Sequence, residues 1–190
     1  MRASTHRRAS RLAAGGAVLL SLLVPATALA ASTAWTKQFG TTTEDTAGGI
    51  AADSGGITVV GTTTGELRGD LDGFSDAFIR RYDRDGNVLW TRQFGTAGQD
   101  WAVDVAADGA GITVLGQTDG TFGSSEVRTN LDVYVRRYDR QGNHLWTRQF
   151  GTGKDDEPGG IAADGSGVIL VGTTTGALQG SNAPDDPDVF

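Results

Sequence analysis

The clearest pattern along the chain is strict alternation of apolar and polar positions in short runs. In Val88 to Phe94, one face carries Val88, Trp90, Arg92 and Phe94 and the other Leu89, Thr91 and Gln93; a period of two is the mark of a strand. Asp132 to Tyr138 (DVYVRRY) alternates in the same way but sets apolar bulk on both faces, so it is expected to lie between two layers. Trp101 to Ala107 and Ile112 to Gly116 complete a set of four short strands. Between strands stand turn formers such as Asp139-Arg140-Gln141-Gly142-Asn143, with Gly142 suited to a positive φ. After the first thirty residues no stretch has apolar residues at helical spacing.

This set of strands recurs. Trp35-Thr36-Lys37-Gln38-Phe39-Gly40-Thr41 returns as Trp90 to Thr96 and as Trp146 to Thr152, with Gly40, Gly95 and Gly151 spaced 55 and 56 residues apart. Ala52-Asp53, Ala107-Asp108 and Ala163-Asp164 keep the same step, as do Gly61, Gly116 and Gly172. The structural unit is therefore the repeat, in copies 35–89, 90–145 and 146–190, the last one truncated. The predicted fold is all-β, a β-propeller of four-stranded antiparallel blades with about three blades' worth of sequence.

The phrases DAFIRRYD, DGNVLWTRQFGT and GGIAADSGGITVVGTT resemble the bacterial β-propeller repeat known as the SBBP repeat, over essentially all of residues 33 to 190. That resemblance implies a blade of an exported or surface protein, and it brings no catalytic residue set. The C-terminal Asp188-Val189-Phe190 aligns with Asp132-Val133-Tyr134, while the first copy enters at its WTKQFGT strand. Propellers close with four to eight blades, so the expectation is that the chain continues past Phe190 or that copies assemble, as a homo-oligomer, to complete a ring.

Residues 1–30 read as an address. Arg2, Arg7, Arg8 and Arg11 precede an uncharged apolar run from Leu12 to Val24, and Ala28-Leu29-Ala30 offers small residues for cleavage after Ala30. The run is too short to span a bilayer, which takes about 20 residues. Ala9, Ser10 and Arg11 after the Arg pair favour the general secretory route over the twin-arginine one. A secreted or surface location follows. Without this segment the chain carries 12 basic and 23 acidic residues, a net −11; that charge excludes nucleic acid and anionic lipid as partners. Cysteine is absent, so neither disulfide nor thiolate chemistry is available.

Positions identical in all three copies, Trp35, Trp90 and Trp146 with their Gln-Phe-Gly neighbours, are expected to be scaffold. The copies differ in the link after the repeated phrase (Thr42 to Asp45, Ala97 to Trp101, Gly153 to Pro158) and in the longer links Gly65 to Ser75, Gly120 to Leu131 and Gly176 to Pro187. Loops on a rigid scaffold are where binding residues collect. Acidic residues in the first link have the oxygen chemistry of calcium ligands, but carboxylates between strands more often form solvated turns, so no metal site is assigned. Asp83-Arg84-Asp85-Gly86-Asn87 opens like a calcium loop, yet its second copy has Gln141 for Asp85 and no glutamate follows at EF-hand distance. His144 is read as a solvent-facing turn residue with no serine and acid beside it. No catalytic, cofactor-binding or metal residue is therefore named and no cofactor is expected. The leading expectation is a non-catalytic exported scaffold binding a protein or a carbohydrate. The alternative is a polysaccharide hydrolase or lyase acting through the link carboxylates Asp45, Asp100 and Asp156.

Overall fold

The computed structural model describes residues 35–178 and 188–190; the expected signal peptide and most of the Gly176 to Pro187 link lie outside them. The described chain is all-β and antiparallel. Sheet 1 has strands β1 (Asp45–Asp53), β2 (Gly56–Thr63), β3 (Asp76–Tyr82) and β4 (Val88–Phe94) in that order. Sheet 2 repeats it with β5 (Asp100–Asp108), β6 (Gly111–Gly120), β7 (Val127–Tyr138) and β8 (His144–Phe150). In sheet 3, β9 (Asp156–Ala163), β10 (Val168–Thr174) and β11 (Asp188–Val189) form the same series over three strands. The four strands expected from alternation are all present, with boundaries extended by a few residues at most in β5 and by more in β6 and β7.

Each first strand is kinked by a bulge at the same place, between Ala47 and Gly49, between Ala102 and Asp104, and opposite Val171 and Gly172. First strands of successive sheets lie side by side, β1 beside β5 and β5 beside β9. The approach is close enough that a β-carbon on Gly48 would fall 2.0 Å from the Ala102 carbonyl oxygen.

Apolar side chains fill the space between sheets. Between sheets 1 and 2 lie Val60, Ile79, Phe94, Val105, Val114 and Tyr134, all buried. Fully burying a side chain of this kind contributes about 1.5–3 kcal/mol. The layer between sheets 2 and 3 is smaller, built on Leu115, Val133 and Val135 with Phe150, Leu170 and Phe190 half-buried against them. Burial on both faces of β3 and β7 agrees with the two-sided pattern of their sequence.

Two arginines sit inside this apolar setting because each finds an acid. Arg81 pairs with Asp53 at 2.6 Å and donates to the Thr58 hydroxyl at 2.8 Å. Arg137 repeats the arrangement with Asp108 at 2.8 Å and with Thr113. Burial works upward on both acids, but the guanidinium beside each holds its carboxyl below the usual carboxylate range. Arg140 reaches from the hairpin of sheet 2 to Asp53, 3.2 Å away, and ties the two sheets together.

The repeated WTxQFGT phrase is a set of fittings for the next sheet. The indole Nε1 of Trp90 donates to the Arg140 carbonyl at 3.0 Å while its ring covers Gly142, where φ is +80° and a β-carbon would lie 2.6 Å from Cδ2. Trp35 does the same to the Arg84 carbonyl and Gly86. Phe94 meets Tyr134 edge-on at 6.0 Å, as Phe39 meets Phe78 at 5.5 Å. Arg136 lies over the Phe94 ring and Arg80 over the Phe39 ring. Residues 35–41 thus dock on sheet 1 as β4 docks on sheet 2, although they are not in a strand. Trp146 is 38% exposed, with no hairpin opposite it among the described residues.

Candidate functional site

The most unusual chemistry lies where one sheet meets the next, around the glycine of the repeated phrase. Thr96 follows that glycine; its backbone N–H and hydroxyl both donate to Asp100 Oδ2, at 2.6 and 2.9 Å. Thr41 and Thr152 bind Asp45 and Asp156 identically. These three aspartates were expected in solvated links. They instead open strands β1, β5 and β9, and Asp100 and Asp156 are fully buried. The cause is simple: the link folds back so that the threonine four residues earlier caps the carboxylate, and the strand begins there rather than after it.

A second aspartate arrives from the preceding sheet. Asp76 opens β3 and Asp132 lies in β7; both are buried. Gln93 donates to Asp76 Oδ2 at 2.8 Å and to the Gly65 carbonyl at 3.0 Å, while its Oε1 accepts from the Leu67 amide at 2.7 Å. Gln149 serves Asp132, Gly120 and Phe122 in the same manner. The glutamine of the phrase thus ties the long link to the aspartate.

The glycine makes room for both acids. A β-carbon on Gly95 would lie 2.1 Å from Asp76 Oδ1 and 2.9 Å from Asp100 Oδ2. On Gly151 it would lie 2.3 Å from Asp132 Oδ1 and 2.8 Å from Asp156 Oδ2. Two acids therefore share one small space at each junction, which for ordinary carboxylates is unfavourable unless a proton or a cation joins them.

The first junction feels that conflict. Burial pushes the Asp100 carboxyl up to about 6, against the Thr118 hydroxyl and the Thr96 amide and hydroxyl, with the Asp76 charge adding to the rise. Burial also raises Asp76, opposed by Gln93 and the Asp72 amide and aided by the Asp72 charge. Asp45, which has no second acid beside it among the described residues, moves the other way. Burial works upward there too, but hydrogen bonds from Thr63 and Thr41 outweigh it. Oδ1 of Asp76 and Oδ1 of Asp100 have no hydrogen-bond partner; the Thr118 hydroxyl favours the charged form of Asp100 without donating to that oxygen.

The other sequence candidates are structural. Asp83 Oδ1 accepts from the amides of Asp85 and Asn87, and Gly86 has φ +81°, so the Asp83 to Asn87 segment is a hairpin turn closed on its own aspartate. His144 is exposed at the start of β8, its ring against Tyr138 and its Nε2 2.9 Å from the Thr147 hydroxyl. Among the described residues no three His, Cys, Asp or Glu side chains gather as a metal-ligand group, and no helix is long and apolar enough to cross a membrane.

Sequence reasoning did not single out Asp76 and Asp132. Their signal was available in the aligned triplet Asp76, Asp132 and Asp188, one acid at the same place in every copy.

The links that vary between copies collect at one end of the sheets, where β2 leaves for β3 and β4 for β5. There the Phe74 amide donates to the Gly98 carbonyl and the Asp119 amide to that of Gln99. A cavity of about 440 Å3 opens at this end, lined among others by Leu71, Asp72, Gly95, Thr96 and Ser124.

No family model matches the chain. One curated protein is similar to it, a regulatory protein named FlaEY from Caulobacter vibrioides, 29% identical over 112 residues. The match covers 54% of this chain and 12% of that protein, so the chain spans only a small part of its relative's length.

Proposed function

We propose that this chain is an exported, non-catalytic β-propeller repeat module of the SBBP type, whose links at one end of the sheets bind a protein or a carbohydrate. The observation that carries the reading is the division of labour within each copy. Residues repeated in every copy are spent on junctions between sheets, and the residues that vary gather around a single open end. Rigid elements with variable loops on one side are the usual platform for recognition. Four to eight sheets of this kind complete a ring, supplied here by further copies in the chain or by other copies of it; light-scattering mass distinguishes the two.

Burial of Asp100 and Asp156 weighs against the hydrolase alternative, since a carboxylate closed off by a threonine cannot meet a polysaccharide. The test is a glycan array and a peptide array probed with the full chain and with a variant whose residues 66–73 are replaced by glycine and serine. Saturable binding that the variant loses, with its circular dichroism unchanged, is the expected result. Silence on both arrays, or binding that the replacement leaves intact, overturns the reading.

A further inference from the structure

The two junctions carry the same pair of acids but opposite charge at one position. Four residues before Asp132 stands Arg128, whose Nη1 donates to Asp132 Oδ2 at 3.0 Å. Four residues before Asp76 stands Asp72, whose backbone N–H donates to Asp76 Oδ2 at 3.1 Å. One junction therefore holds its own guanidinium, while the other has a third acid in that place. Among the described residues neither Asp76 nor Asp100 forms an ion pair with any lysine, arginine or histidine.

Asp76 and Asp100 are fully buried. Asp76 Oδ1, without a hydrogen-bond partner, points into the space above Gly95 that a β-carbon would fill, 2.1 Å away. An unsatisfied buried carboxylate oxygen is costly, and more so beside a second acid. The 440 Å3 cavity is lined by Asp72, Gly95 and Thr96, the residues that cover the pair, and not by Asp76 or Asp100 themselves.

We propose that the Asp76–Asp100 pair binds a hard divalent cation of the calcium and magnesium class, which reaches it past Gly95 and Thr96 and offsets the charge of the first junction, where the second has Arg128 on Asp132. Such ions take oxygen ligands, and with few protein donors they keep waters in their shell. Asp72 at the cavity wall adds a field that draws the ion in. Bound there, the ion would link the start of β3 to the start of β5 and so fasten sheet 1 to sheet 2. This inference stands independently of the ligand proposed for the open end.

The experiment titrates calcium chloride into the EDTA-treated full chain at about neutral pH, following the heat of binding, with magnesium chloride as a second probe. The expected result is one equivalent per chain with Kd on the order of 10⁻⁴–10⁻³ M. Asp76→Asn should weaken binding by about tenfold or more. Asp72→Arg changes only an exposed residue, copies the second junction, and should abolish binding while circular dichroism stays native. Arg128→Asp does the reverse and should add a second equivalent. The proposal falls if neither ion binds in the millimolar range, or if Asp76→Asn and Asp72→Arg bind calcium like the parent. It also falls if carbon NMR finds the pair holding a proton at neutral pH with calcium present, since the occupant is then the proton.

Discussion

The junction between sheets 1 and 2 and the junction between sheets 2 and 3 are built from one sequence phrase, yet they differ in what completes them. The first has a tryptophan seated on a hairpin glycine, a large apolar layer and two acids with no ion-pair partner among the described residues. The second has a tryptophan 38% exposed, a smaller layer and an arginine on one of its two acids, Asp132. Identical fittings therefore do not make equal joints. Apolar packing and charge balance are separate contributions here, and the two junctions differ in both.

The largest expected effect tests the packing half of that contrast. Trp90→Ala should cost about 3–5 kcal/mol, the range for a large aromatic lost from a packed layer. Trp146→Ala should cost about 1 kcal/mol, since much of its ring already faces water. Urea unfolding of the two variants measures both, and equal losses would erase the distinction.

Gly95→Ala comes next, at about 3 kcal/mol, because the new β-carbon overlaps Asp76 Oδ1 and breaks either the packing or the hydrogen bonds of the acid. Gly151→Ala should cost a comparable amount. Thermal unfolding of the pair shows whether the crowding is common to both junctions.

The charge half is read by pH. Asp100 is raised in the folded state from 3.8 to about 6, so the fold binds its proton more tightly than the unfolded chain does. Its contribution is full below about pH 4 and is lost as pH rises through about 6. In the presence of EDTA it is worth up to about 3 kcal/mol. Asp100→Asn should remove this slope, and calcium should restore stability to the parent at neutral pH. A parent and variant with parallel pH profiles would show that the acids do not strain the first junction.

The smallest effect concerns the arginine. Arg128→Gln should lower stability by about 1 kcal/mol at neutral pH, a figure held down by the partial exposure of the side chain. Adding salt should shrink the difference.

Much of the architecture was legible in the sequence because strands advertise themselves by a period of two and copies by their spacing. Val88 to Phe94 could be delimited to the residue, since Asn87 and Gly95 flank it with turn chemistry. β7 ran further than expected. Val127 to Leu131 has no apolar alternation, and it joins the sheet only through a bulge and a single pairing of Val127 with Gly120.

The candidate site was far less legible. Asp45, Asp100 and Asp156 look like link residues because polar and small residues surround them in sequence. Their burial depends on a fold-back that places Thr41, Thr96 and Thr152 over them, which local pattern does not encode. Asp76 and Asp132 look like strand-opening residues, and only the neighbouring sheet makes them half of a pair. Arg128 gives no hint of its role until it is counted back from Asp132. Repetition was the usable signal throughout: an acid held at one register in every copy is a better guide to a site than an acid in a link that varies.

The docking of residues 35–41 carries a consequence for how the molecule opens. Trp35 and Phe39 hold this segment by their rings and Thr41 fastens its end to Asp45, with no ladder of backbone bonds among the described residues. Its amide hydrogens should exchange with deuterium far sooner than those of β4, which bears the same phrase within a sheet. Proteases sampling the native state should find their first cut there.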